Sequence, residues 1–108
     1  DTHYLRGGLF EDLVINEFLK RDYNRGLGPA LSFWRDSAGH EVDLLRREAG
    51  RTEAYEIKSG ATFSKSYFTG LEYWSRLSGA GVEDRAVIYG GERSLHTSSG
   101  AVTAWQEM

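Results

Sequence analysis

The sequence predicts a mixed α/β domain, and three features of its residue pattern support this prediction. Apolar side chains recur at three- and four-residue spacing from Gly8 to about Arg25 and again over residues 65–78, as in amphipathic helices. Residues 30–58, between these segments, hold three short runs of strand-forming residues separated by turn residues. A further apolar run, Arg85 to Tyr89, indicates a strand after the second helix. We therefore expect the order helix, three strands, helix and strand.

The first helix is defined by one apolar stripe and by the residues that follow it. Gly26 and Gly28 favour a helix end because glycine adopts left-handed backbone conformations readily, and Pro29 cannot continue a helix. We expect the stripe to lie in the core; it consists of Phe10, Leu13, Val14 and Phe18.

The three strands are expected at residues 30–35, His40 to Arg47 and Glu53 to Lys58. Turn residues separate them at 36–39 and at Ala49-Gly50. Because connections this short join antiparallel neighbours, we expect an antiparallel meander.

The second helix is expected to begin near Ser64 or Ser66, either of which can cap its first turn, and to end at Gly79. After the strand that ends at Tyr89, the chain up to Trp105 indicates another turn and a final short strand. The apolar residues at helical spacing are Tyr67, Phe68, Leu71, Trp74 and Leu77. We assign the stripe at positions 67, 68, 71 and 74 to the core.

Length and composition favour one domain, 1–108, because a chain of 108 residues is the usual size of a single core. No apolar run is long enough for a membrane span or a signal peptide, so we expect no membrane association and a cytoplasmic location. With no Cys, the chain has no disulfide and no thiolate metal ligand. The first residue is Asp1, and we expect the domain to be part of a longer protein.

The net charge of −3, from 13 basic and 16 acidic side chains, disfavours strong unspecific binding to nucleic acid. The arginines near the second turn are therefore interpreted as solvated charges, not as a phosphate-binding surface. They are Arg46, Arg47 and Arg51.

Two acids and a lysine are predicted to meet near the middle of the sheet. Side chains alternate across a strand, which puts Val42 and Leu44 on one face and Asp43 on the other. The same alternation puts Glu56 and Lys58 together on the next strand, and the short turn makes Asp43 and Glu56 neighbours. The alternative is a cross-strand salt bridge on a solvated face.

Glu11 adds a third carboxylate, because it borders the apolar stripe of the first helix and should point towards the same sheet face. Two like charges about 5 Å apart repel by roughly 3 kcal/mol at an effective dielectric constant of about 20, so a bound cation would stabilise the cluster. Oxygen ligands without Cys or His favour Mg²⁺ or Mn²⁺.

The order of these residues resembles the PD-(D/E)XK nuclease superfamily, which has a Glu on the first helix, then an Asp, then Glu-x-Lys on the next strand. Here the motif is Glu41-Val42-Asp43 followed, after twelve intervening residues, by Glu56-Ile57-Lys58. Val42 stands where the superfamily motif has its Pro, a residue that carries no chemistry.

More narrowly, the chain is similar to a nuclease-like domain that follows an AAA+ ATPase module in bacterial and archaeal proteins. The similarity spans about residues 5–105 and rests on five segments: Gly8-Leu9-Phe10-Glu11-Asp12-Leu13-Val14, Phe33-Trp34-Arg35, Glu41-Val42-Asp43-Leu44-Leu45, Glu56-Ile57-Lys58-Ser59-Gly60 and Tyr89-Gly90-Gly91.

The resemblance implies an α-β-β-β-α-β core, with a central mixed sheet flanked by helices, and Mg²⁺- or Mn²⁺-dependent hydrolysis of phosphodiesters in nucleic acid. It implies that Asp43, Glu56 and the Ile57 carbonyl bind the metal, with Glu11 binding directly or through water. Lys58 would then orient the attacking water or stabilise developing negative charge.

The resemblance also implies that an ATPase module precedes this domain in the same chain. A different reading is a catalytically retired nuclease fold that serves an ATPase as a protein-interaction or substrate-presenting module, and the acidic net charge favours it.

Overall fold

A computed structural model describes residues 2–26 and 30–108, including the side chains of 7–26 and 30–108. The elements of the described residues are α1 (Thr2–Asn24), β1 (Leu31–Arg35), β2 (Glu41–Glu48), β3 (Arg51–Lys58), a 3₁₀ helix (Lys65–Phe68), α2 (Thr69–Ser78), a 3₁₀ turn (Val82–Asp84), β4 (Arg85–Tyr89), β5 (Leu95–Thr97), β6 (Gly100–Ala104) and a last 3₁₀ turn (Trp105–Glu107).

The described strands form one six-stranded sheet in the order β1-β2-β3-β4-β6-β5. The pairs β1–β2 and β2–β3 are antiparallel, as the short connections predict. The pair β3–β4 is parallel, because α2 crosses over the sheet between these two strands. The pair β4–β6 is also parallel, and β5 lies between these strands in the chain. Strand β5 is antiparallel to β6. The prediction of a mixed α/β domain is confirmed.

Helix α1 is longer than its apolar stripe indicates, since it begins at Thr2 and not near Gly8. Glycines at positions 7 and 8 lie inside the helix and do not end it. The helix ends at Asn24, just before Gly26, whose φ of 74° is the left-handed conformation expected beyond a helix end. The predicted stop residues Gly28 and Pro29 lie outside the described residues.

The two helices cover opposite faces of the sheet. Val14 and Phe18 of α1 pack in one cluster with Leu44, Ile57 and Ile88. The cluster on the other face joins α2 and the 3₁₀ helix before it to the strands, through Phe68, Leu71, Trp74, Val42, Leu45, Ala54, Val87, Tyr89, Val102 and Ala104.

The assignment of Leu13 to the core is wrong, because 41% of this residue is exposed. Leu13 lies at the edge of the apolar stripe and faces solvent, while Val14 is fully buried. The buried line of α1 is therefore narrower than the sequence pattern indicates.

A β-bulge interrupts the alternation of side chains along β2. Ser32 pairs with Leu45 and Trp34 with Val42, so the single residue between them on β1 faces two residues of β2, positions 43 and 44. Val42 consequently packs on the α2 face and Leu44 on the α1 face. The prediction that Val42 and Leu44 share one face is wrong for this reason.

A buried ion-pair network fixes the C-terminal half of α1 to the sheet. The guanidinium of Arg46 is buried against Asp22, with a 2.5 Å hydrogen bond, and lies 3.1 Å from carboxylate oxygens of Glu48 and Glu53. The hydrogen bond from Arg46 lowers the pKa of Asp22, although burial opposes this shift. The prediction that Arg46 is a solvated charge is wrong.

The burial of α2 can be tested with two leucines in the same helix. Leu71 is fully buried beneath the sheet, whereas 62% of Leu77 is exposed. We expect Leu71→Ala to lower the free energy of unfolding by about 2–5 kcal/mol, because it leaves a cavity in the core. The matched variant Leu77→Ala should change it by about 0.5 kcal/mol or less. Equal losses in urea unfolding would contradict the packing described for α2.

Candidate functional site

The sheet opens between β2 and β3 at one end. Backbone pairing of these strands runs from Glu48 and Arg51 to Leu44 and Tyr55, and does not continue beyond that pair. Residues 41–43 stay with β1 and residues 56–58 follow β4. We call this opening, formed by residues 41–43 and 56–58, the β2–β3 fork.

Asp43 lies in the β2–β3 fork and replaces the missing strand partner. Its Oδ2 accepts a 2.9 Å hydrogen bond from the backbone N–H of Ile57. The N–H and C=O of one strand residue point to the same side, so the Ile57 carbonyl also faces the fork. A carboxylate and a backbone carbonyl are thus held at the same opening.

Glu56 is buried beside Asp43 on the α2 face of the sheet. Only 9% of it is exposed, and its Oε2 lies 3.7 Å from where a Cβ on Gly70 would stand. Burial, then the side-chain hydrogen bond with Asp43 and the charge of Asp43, raise the pKa of Glu56 to about 9. The positive charge of Lys58 opposes this shift. Glu56 therefore carries a proton at neutral pH in the absence of a cation.

Gly70 lets α2 approach the start of β2 closely. A Cβ at this position would stand 2.6 Å from the backbone oxygen of Glu41, a distance that real Cβ atoms do not reach. The glycine therefore sets how near α2 comes to the β2–β3 fork. Sequence reasoning missed Gly70, and only its place in the first turn of a helix marked it as unusual.

Glu11 reaches the same site from the other face of the sheet. It lines a cavity of about 400 Å³ together with residues of α1, β2, β3 and the turn after β3: Gly7, Gly8, Asp43, Ile57, Lys58 and Ser59. Burial and then the negative charge of Asp43 raise the pKa of Glu11. The prediction that α1 crosses the sheet face bearing Glu56 is wrong, because α1 packs against the face of Leu44 and Ile57.

Lys58 ends β3, and the following turn is fixed by Gly90. The N–H of Gly90 donates to the carbonyls of Lys58 at 3.1 Å and Gly60 at 3.0 Å. A Cβ on Gly90 would stand 2.2 Å from the Ser59 oxygen, so the contact requires glycine. The Lys58 ammonium lies 5.5 Å from the ring centroid of Tyr67, a cation–π contact.

Asp43 is thus the shared neighbour of the predicted site residues. Glu56 meets it from the α2 side and Glu11 from the α1 side, while Lys58 lies at the end of the next strand. Within residues 7–26 and 30–108, no group of three or more His, Asp or Glu side chains is arranged to hold a metal ion. The oxygen donors suit Mg²⁺ or Mn²⁺, but they do not form a ready-made three-carboxylate cage.

Comparison with known proteins gives a family for the chain. A family model described as "Domain of unknown function (DUF4143)" matches residues 6–108. The chain belongs to the DUF4143 family. This DUF4143 match covers every residue of the candidate site, from α1 to the end of the sheet. The chain matches no curated protein and no solved structure.

The described helices of this DUF4143 chain include none that is both long and apolar enough to cross a bilayer.

The raised pKa of Glu56 predicts how stability changes with pH. In the folded state the carboxyl keeps its proton up to about pH 9, whereas it ionises near 4.5 when unfolded. Folding therefore takes up a proton between these values, and stability falls as pH rises. We expect Glu56→Gln to be more stable than the parent by about 1–3 kcal/mol at pH 7 in EDTA, and equal to it near pH 4.

Urea unfolding at several pH values measures this difference. The matched control is Glu92→Gln, which changes an exposed glutamate in the loop after β4 and should not reproduce this gain. A gain from Glu56→Gln that is the same at pH 4 and pH 7 would show that the carboxyl is not protonated in the folded chain.

Proposed function

We propose that the β2–β3 fork is the active site of a divalent-cation-dependent phosphodiesterase that acts on nucleic acid. The observation that carries this proposal is the bond from Ile57 N–H to Asp43, which keeps one carboxylate at a sheet opening beside the buried Glu56. It is supported by the resemblance to PD-(D/E)XK nucleases.

The electrostatics of the Asp43–Glu56 pair favour a cation as the natural partner of the site. Among the described residues, neither carboxylate has a Lys, Arg or His nitrogen within 4.0 Å. Ionising Glu56 next to Asp43 places two negative charges together in a largely buried site, which is unfavourable without a counter-charge. A divalent ion that binds there would displace the proton of Glu56 and stabilise both carboxylates.

Each site residue has a distinct role in the proposed reaction. The bound Mg²⁺ or Mn²⁺ would supply positive charge at the phosphate and lower the pKa of a coordinated water. Asp43, Glu56 and the Ile57 carbonyl would hold the ion, and Glu11 would approach from α1 to complete the ligand set. Lys58 would orient the attacking water or stabilise negative charge on the phosphate.

We also propose an AAA+ ATPase module in the same chain and a cytoplasmic location. The net charge of −3 gives this domain little electrostatic attraction for a polyanion. A neighbouring module would then be the part that captures nucleic acid and brings it to the fork.

A second candidate function is a protein-interaction or substrate-presenting module on a retired nuclease fold. One observation favours it: the described carboxylates do not form a group of three arranged for a metal ion. If Glu56 stays protonated under all conditions, the pair carries only the single negative charge of Asp43 and needs no divalent cation.

Metal binding separates these two candidates. We expect Mg²⁺ or Mn²⁺ to raise the melting temperature of the parent, with a stabilisation of about 2.7 kcal/mol at a hundredfold excess over Kd. Asp43→Asn and Glu56→Gln should lose this response, since each removes a charged ligand. The control Glu92→Gln should keep it. Calorimetric titration without heat, together with an unchanged melting temperature up to millimolar metal, would contradict the metal site.

Turnover is tested with Lys58→Met, because Lys58 is not a proposed metal ligand. The assay uses the full-length protein with ATP present. We expect it to cleave plasmid or oligonucleotide substrates only with Mg²⁺ or Mn²⁺. The Lys58→Met variant should lose cleavage by about 100-fold or more and retain the metal-dependent rise in melting temperature. If cleavage survives Lys58→Met undiminished, the assignment of the site is wrong. If neither protein cleaves, the retired fold is favoured.

A further inference from the structure

Two cavities meet at the β2–β3 fork and together form one trough. The first, of about 400 Å³, lies on the side of Gly7, Gly8 and Lys58. The second, of about 450 Å³, lies along β1 and is lined in part by Phe33 and Arg35. Both are lined by Glu11 and Asp43, so the proposed catalytic carboxylates stand where the two cavities join.

Phe33 lies at one end of this trough without a packing role in the core. It is 73% exposed, more than any other large hydrophobic residue among those described. Its strand is at the edge of the sheet, and the bulge leaves it opposite positions 43 and 44 of β2. An aromatic ring presented to solvent beside a phosphodiester site offers a stacking surface for a base.

Gly7 and Gly8 lie at the other end of the trough, and the fold does not require glycine at either position. Glycine inside a helix is unfavourable relative to alanine. A Cβ at either position would meet nothing within 4 Å among the described atoms, so neither glycine is required by close packing. Because glycine has no side chain, the space over the cavity lined by Glu11 and Lys58 stays open.

We propose, on the basis of the function proposed above, that the substrate is single-stranded nucleic acid lying along this trough. One base stacks on Phe33, and the sugar-phosphate backbone passes over Gly7 and Gly8 beside Lys58. The phosphate between these two contacts then lies at Asp43.

The stacking contact is the reason for proposing a single-stranded substrate and not a duplex. A base can lay its face on Phe33 only when that face is free, and in a duplex both faces are covered by neighbouring bases. Arg35 provides a positive group at the same end of the trough. Its side chain is largely exposed, although its Nη2 lies 3.4 Å from Oε2 of Glu41. The trough also carries Glu11, Glu41 and Asp43, so binding of a polyanion should require a divalent cation.

The experiment measures binding of a fluorescent oligothymidylate of about 16 nucleotides to the full-length protein by anisotropy, with Ca²⁺ as the cation. A duplex of the same length is the comparison. We expect the single strand to bind more tightly than the duplex and to be released by EDTA. Phe33→Leu should weaken binding about tenfold or more, while Phe33→Tyr should keep it, because Leu is apolar but has no flat ring.

The glycines are tested with Gly8→Ala and a matched helix variant, Asn16→Ala, at an exposed position of α1. Both should raise the melting temperature slightly, because Ala is the better helix former. Only Gly8→Ala should weaken oligonucleotide binding, by about fivefold or more if a methyl group blocks the backbone path.

Specific outcomes would overturn the inference. Equal binding by Phe33→Leu and the parent would mean that no base stacks there, and equal binding of duplex would remove the strand preference. If Mn²⁺ stabilises the parent but no oligonucleotide binds, this inference fails and the metal site stands. If the oligonucleotide binds through Phe33 but no metal response or cleavage occurs, the trough stands as a binding site and the phosphodiesterase proposal fails.

Discussion

The hydrogen bond from Ile57 N–H to Asp43 is the interaction on which the site depends. Where β2 leaves β3, the backbone of β3 loses a strand partner, and a buried unpaired N–H is costly. The Asp43 carboxylate supplies the missing acceptor at 2.9 Å. The same contact keeps Asp43 beside Glu56, so the hydrogen bond that accompanies the opening of the sheet also brings the two carboxyl groups together.

Local patterns predicted the elements well but not the faces on which their side chains lie. The strand Arg85–Tyr89 has the predicted bounds because its apolar run ends at Gly90-Gly91, a local signal. The bulge opposite Phe33 leaves no comparable mark, since no glycine or proline lies at positions 43 and 44. Strict alternation therefore placed Val42 and Leu44 together, and the structure separates them.

The remaining differences arise from long-range contacts that no local pattern encodes. Arg46 is buried because carboxylates from α1, β2 and β3 surround it, although its neighbours in sequence resemble a solvated turn. Glu11 lies near Asp43 although α1 covers the face opposite Glu56, because the β2–β3 fork is open to both faces. In consequence, the ion pair between Asp22 and Arg46 fixes the C-terminal part of α1 to the sheet, and the part of α1 near Gly8 lies at the candidate site.

Several features that are unfavourable for the stability of the protein without a ligand lie around the β2–β3 fork. Glu56 is buried beside a like charge, Gly7 and Gly8 interrupt good helix formers, and Phe33 exposes its ring. Separate structural causes would not be expected to coincide in one place, whereas one ligand would account for all of them. A peptide partner could use Phe33 on the edge strand, but it gives no reason for Glu56 to be buried beside Asp43. A cation bound to a phosphodiester strand relates the ring, the glycines and the carboxylates to a single substrate, which is why the nuclease-type function is preferred.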